Sequence, residues 1–179
     1  KGHAVSALYA TLAEKEFFSA ELLNTFNQDG GSLPEHPTPH CVPGVEVATG
    51  SLGHGLSLGI GHALAARIQH LSYRTMVLMS DGECNEGSVW EAALFAPAHK
   101  LDNLIAIIDF NKWQATGRSE QIMNLSPLKE KWTAFGWQSY EINGHSLEEI
   151  LSVFAKIPET PEKPTAIIAH TVKGKGVSF

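Results

Sequence analysis

Several things are scarce in this sequence, and each scarcity excludes something. Only two of the 179 residues are cysteine, Cys41 and Cys84, with no paired spacing between them. Neither a disulfide framework nor a zinc site is indicated, and a reducing, cytoplasmic setting is expected. Positive charge is short as well: 13 Lys and Arg stand against 19 Asp and Glu, a net charge of -6. That balance argues against nucleic acid or an anionic membrane surface as the main partner. No apolar run approaches the roughly 20 residues of a membrane-spanning helix. Internal repeats, low-complexity tracts and an interdomain linker are all lacking, so one domain over residues 1–179 is expected. The chain opens at Lys1 inside a helical pattern, without a starting methionine or a signal-peptide pattern, and is expected to be a piece of a longer polypeptide, truncated at both ends.

What is present is core material, 43% hydrophobic residues against 18% charged. The spacing in "GHAVSALYATLAEK" predicts a helix, "SAELLNTF" a second short one, and "NQDGGSLPEHPTPHCVPG" a loop dense in Pro and Gly. "TGSLGHGLSLGIGHALAARIQHL" runs from a glycine-rich turn into a helix whose small residues permit close packing. The remainder alternates: strands at Thr75–Met79, Leu104–Asp109, Gln138–Ile142 and Thr165–His170, with helices near Ser88–His99, after Ser126 and Pro127, and after Ser146. Ser146 with Glu149 predicts a capping box, Ser126 a cap with Pro127 in the first helical position, and Pro97 an early end or kink. Continuous apolar strands such as "LIAII" between helices imply an α/β fold, a doubly wound, mainly parallel sheet with helices on both faces.

In such a sheet, ligands bind outside the carboxyl ends of the strands. Here that edge collects Asp81 and Gly82, then Asp109, Asn111 and Trp113, then "NGH" from Asn143 to His145, then "TVKGKG" from Thr171 to Gly176. Asp81 and Asn111 are thirty positions apart and can converge across one crossover helix. Both offer hard oxygen ligands, suited to Mg2+ or Ca2+. Mg2+ completes its shell with phosphate oxygens and water, so the pair implies a phosphorylated ligand, and Gly82 would let it approach the backbone.

"SDGECNEG" through "DFNKW" resembles the thiamine diphosphate signature. With "KGHAVSALYATL", "LPEHP", "PGVEVATGSLGHGLSLGIGHALA", "KLDNLIAIIDFN" and "AIIAHTVKGKGVSF", the chain is similar to the amino-terminal, diphosphate-binding part of the transketolase family, above all to transketolases split into two polypeptides. The resemblance implies a transferase of pentose phosphate chemistry. It would move a two-carbon ketol unit from a ketose phosphate to an aldose phosphate on thiamine diphosphate anchored by Mg2+. By the same resemblance Asp81 and Asn111 ligate the metal through side chains and Trp113 through its carbonyl. His3 and Gly82 meet the diphosphate, Gly50 and Leu52 the aminopyrimidine and thiazolium, and Lys173 stands on the diphosphate side. His36 faces the reacting carbon, and with His3 assists proton transfers. Glu86 meets the catalytic glutamate of a pyrimidine-binding domain. That domain is absent from this chain, so a partner subunit or domain is expected to complete the site, in a homodimer or heterotetramer.

The sequence departs from the pattern at Ser80, in place of a glycine, and at Lys112, where many thiamine enzymes have a second asparagine; two family histidines are missing. Other readings keep the cofactor in a deoxyxylulose phosphate synthase-like or 2-oxo acid dehydrogenase-like component, or make the chain a non-catalytic scaffold. Glu83 reads equally as a solvated helix-start charge. His62, His70 and His99 read as surface or packing residues, and His54 and His145 are left open.

Overall fold

The structure is a computed structural model describing residues 1–178. Phe179, which ends the "TVKGKGVSF" segment, lies outside the described residues. The chain forms two compact units, Lys1–Leu52 and the residues from Gly53 onward.

In the first unit a 3-10 turn, Gly2–Ala4, leads into α1, Val5–Glu14, and a second 3-10 stretch covers Ala20–Thr25, tighter than the helix expected there. Val5 and Tyr9 of α1 are buried with Leu33, Val42 and Val45. The Pro/Gly-rich segment is therefore an ordered loop folded onto a helix face. Tyr9 anchors it, its Oη donating to the Pro34 carbonyl at 3.0 Å. Burial raises the pKa of that phenol, so it acts as a neutral donor.

The second unit holds α2, Gly55–Ile68; β1, Thr75–Ser80; α3, Gly87–Ala98; β2, Leu104–Phe110; a short hairpin of β3, Trp113–Gln114, and β4, Gly117–Arg118; α4, Ser119–Ile122; α5, Leu128–Ala134; β5, Gln138–Asn143; α6, Leu147–Lys156; and β6, Thr165–His170. The four long strands form one parallel sheet in the order β1-β2-β6-β5. Period-2 alternation divides their side chains. Val77, Met79, Leu104, Ala106, Ile108, Ala166 and Ile168 join one core with residues of α2, α3 and α5, while Ile105, Ile142, Ile167 and Ala169 join another with Val153 of α6. The doubly wound arrangement is thus realised. Gly59 explains how closely α2 approaches, because a Cβ there would stand 2.3 Å from Val77 Cγ2.

Two local expectations are corrected. Ser126 makes no cap: α5 begins at Leu128, with Pro127 in the capping position. Pro97 does not end α3, which runs to Ala98. Proline lacks the N–H that would bond the carbonyl four residues back. That carbonyl, of Ala93, instead accepts the indole N–H of buried Trp137 at 2.8 Å. Trp137→Phe is expected to lower stability by at least the about 1–3 kcal/mol of an unpaired buried carbonyl. Adding Pro97→Ala should recover part of the loss by restoring a backbone donor, measured as coupling in a denaturant double-mutant cycle. Strict additivity would contradict this account.

Candidate functional site

At the carboxyl end of β1 the chain turns through Asp81 into a 3-10 segment, Gly82–Asn85. Ser80 and Glu83 fasten the turn reciprocally: the Glu83 N–H donates to Ser80 Oγ at 3.2 Å, and the Ser80 N–H donates to Glu83 Oε1 at 3.1 Å. This is the S-x-x-E pairing of a capping box. It gives the departure at Ser80 a structural role. Glu83 is buried, and its other oxygen accepts the Gly53 N–H at 3.4 Å. The reading of Glu83 as a solvated charge is therefore corrected; the spacing was visible in the sequence and overlooked.

Asp81 is 0% exposed. Its Oδ1 accepts the Gly82 N–H at 2.9 Å, and its Oδ2 accepts the Lys112 N–H at 3.0 Å and the Ser119 hydroxyl at 2.8 Å. All three donors are neutral. Burial pushes the Asp81 pKa up, these bonds pull it back in part, and the nearby Asp109 charge adds to the rise. A carboxylate removed from water beside a second carboxylate is a position that a cation would stabilise.

The partner segment follows β2. Parallel pairing sets Ser80 opposite Asp109, bringing the two strand ends together as the sequence implied. The Asn111 Oδ1 accepts the Trp113 N–H at 2.9 Å, and its amide donates to Asp109 Oδ2 at 3.4 Å, which fixes the side chain in a turn. Lys112 between them has φ of 66°, the left-handed region that asparagine tolerates better than lysine. What Lys112 contributes to Asp81 is a backbone N–H, so the substitution leaves that bond intact. Trp113 is exposed, with the Arg118 guanidinium 4.3 Å from its ring centroid. Among the described residues no three His, Cys, Asp or Glu side chains cluster to hold a metal. The donor set around Asp81 instead fits a hard cation that brings other oxygens with it.

Gln114 was missed by sequence reasoning. Its side chain lies over Gly82, with Cγ 3.5 Å from where a Cβ on that glycine would stand, and its Nε2 is buried without a hydrogen-bond partner. Leaving such a donor unpaired costs about 1–3 kcal/mol. Ser119 was missed too, since only the short β3–β4 hairpin carries it back under Asp81.

Other expected residues divide. Thr171 Oγ1 donates to Asp109 Oδ1, tying the loop after β6 to the end of β2. Lys173, further along that loop, is exposed and is not drawn into the Asp81 cluster. The "NGH" turn follows β5, at the far edge of the sheet, where His145 Nε2 accepts the Val172 N–H at 2.8 Å. His145 thus serves the loop's shape. Glu86 is exposed in the N-terminal capping position of α3 and makes no side-chain cap bond there.

In the first unit His3 and His36 meet edge to face, ring centroids 5.0 Å apart. Two glycines make the meeting feasible. A Cβ on Gly2 would stand 2.5 Å from the Gly50 nitrogen, and one on Gly50, whose φ is +129°, 2.4 Å from His36 Cδ2. Leu52 is exposed nearby in sequence.

The family described as "Transketolase, thiamine diphosphate binding domain" matches residues 1–179. One of the two apulose-4-phosphate transketolase subunits of Phocaeicola vulgatus is 51% identical over 179 residues, covering 100% of this chain and 63% of that protein. A 6-deoxy-6-sulfo-D-fructose transketolase component of Clostridium sp. (strain MSTE9) is 45% identical, covering 100% and 65%. The chain therefore spans less than two thirds of the length of these relatives. Among solved structures, transketolase of Pichia stipitis superposes with a TM-score of 0.91 at 31% identity over 98% of this chain and 28% of that one. Transketolase of Campylobacter jejuni gives 0.87 at 33% identity, over 98% and 29%.

Ser119→Ala removes a hydrogen bond to a buried carboxylate. It is expected to lower stability by about 1.5–3 kcal/mol, the value of a bond to a charged group, as read by urea denaturation. An unchanged midpoint would show that Ser119 does not hold Asp81.

Proposed function

The chain belongs to the transketolase family, in its thiamine diphosphate-binding part, and from that membership we propose that it is the cofactor- and Mg2+-binding subunit of a two-component transketolase. The observation that carries the proposal is the buried Asp81 carboxylate, ringed by neutral donors at a strand end beside Asn111. Asp81 and Asn111 would hold Mg2+ through their side chains and Trp113 through its carbonyl, with phosphate oxygens and water completing the shell. Ca2+ fits the same oxygen donors.

Thiamine diphosphate, when bound, supplies the carbon nucleophile and electron sink that ketol transfer requires. The chain's residues bind and orient. Gly82 offers its backbone to the diphosphate, with His3, and Lys173 adds charge on that side. Gly50 and Leu52 contact the rings. His36 and His3 move protons at the donor and acceptor hydroxyls. The whole chain serves as one diphosphate-binding domain, and the two free cysteines suit a reducing, cytoplasmic compartment. No helix among the described residues is long and apolar enough to cross a membrane.

Exposed Glu86 is the group that would meet a glutamate of the completing subunit. The relatives' names attach different ketoses to proteins of this kind, so a donor panel should include ketose phosphates and a sulfo-ketose. The expected result is ketol transfer by the chain mixed with its completing subunit, none by the chain alone, and a loss of roughly 100-fold or more in kcat/KM for Glu86→Ala, the scale of a lost acid–base or electrostatic contact. Robust transfer by the chain alone, or full activity of the Glu86 variant, would refute the assignment.

A further inference from the structure

We propose that Gln114 is a diphosphate ligand: its side-chain amide donates to a phosphoryl oxygen of the bound cofactor, an inference that rests on the thiamine diphosphate reading above. The amide Nε2 is shut off from solvent and has no partner within the chain. Its position is fixed from two directions. The side chain lies against Gly82, with Cγ 3.5 Å and Cδ 3.7 Å from a Cβ built on that glycine. The hairpin that carries it is held down where the Lys112 N–H and the Ser119 hydroxyl both reach Asp81 Oδ2, at 3.0 and 2.8 Å, and where the Ser119 N–H donates to the Lys112 carbonyl at 3.1 Å. Gln114 therefore stands at the same strand end as the carboxylate that calls for a cation.

Charge and hydrogen bonding then select the ligand. The Asp81 and Asp109 carboxylates favour a cation, while the Gln114 amide next to them offers a donor and needs an acceptor. A metal-bound phosphate satisfies both demands together, since its oxygens are anionic acceptors held by the same ion. Gly82 belongs to this arrangement. An alanine there would make only ordinary contact with Gln114, so the chain itself does not require the glycine, whereas a phosphate approaching the backbone would.

The test compares wild type with Gln114→Met, which keeps the side chain's length and removes the donor, and with Gln114→Glu, which replaces the donor by a carboxylate. The full chain with its completing subunit is titrated calorimetrically with thiamine diphosphate in Mg2+ and, separately, with thiamine, and the bound diphosphate is observed by phosphorus NMR. A bond from a neutral donor to a charged acceptor predicts about 10- to 100-fold weaker binding of the diphosphate by Gln114→Met, weaker still by Gln114→Glu, a shifted phosphorus resonance, and unchanged thiamine binding. Without ligand the Met variant should melt at or above wild type, because it removes an unpaired buried donor. Wild-type affinity and unshifted resonances in Gln114→Met would overturn the proposal while leaving the cofactor reading intact. A Met variant that melts lower without ligand yet binds normally would do the same, marking the amide as a partner of bound water. Failure of wild type to bind thiamine diphosphate at all would overturn both.

Discussion

The second unit is organised around one buried charge. Asp81 has no water, and the groups that reach it are three neutral donors from Gly82, Lys112 and Ser119. Each donor comes from a different piece of local structure: the turn after β1, the left-handed residue after β2, and the first residue of α4. Satisfying the carboxylate therefore fixes where three segments end. An isolated ion in a low-dielectric interior is costly, and neutral hydrogen bonds offset that cost in part. The remaining demand is for a cation, and this links the packing of the unit to cofactor binding.

Other features of the strand end follow from that constraint. The Ser80–Glu83 pair shapes the turn that aims Asp81 inward, and the same Glu83 carboxylate reaches Gly53. Asp109 both raises the Asp81 pKa and accepts from Thr171, so the loops after β1, β2 and β6 share one electrostatic neighbourhood. In the first unit the corresponding constraint is steric. Gly2 and Gly50 are required because their backbones and the His36 ring occupy the space a Cβ would need.

Much of this was legible in the sequence. Continuous apolar strands alternating with helical periods indicated a parallel sheet, and the positions of Asp81 and Asn111 pointed to a hard-metal site at its carboxyl edge. What escaped was carried by elements too short for periodicity to reveal. The two-residue strands β3 and β4 return Ser119 to Asp81 and lay Gln114 over Gly82, a tertiary consequence with no repeat to betray it. The continuation of α3 through Pro97 depended on Trp137, forty positions away, supplying the donor that proline lacks. Glu83 is a different case, since its spacing from Ser80 was plain and only its burial was not.

The measurement that bears most directly on the central claim is a calorimetric titration of thiamine diphosphate into the chain with its completing subunit, with and without Mg2+, comparing wild type with Asp81→Ala. If the buried carboxylate is a metal ligand, binding to wild type depends on Mg2+ and the substitution abolishes that dependence together with tight binding. Metal-independent binding that Asp81→Ala leaves unchanged would contradict the account.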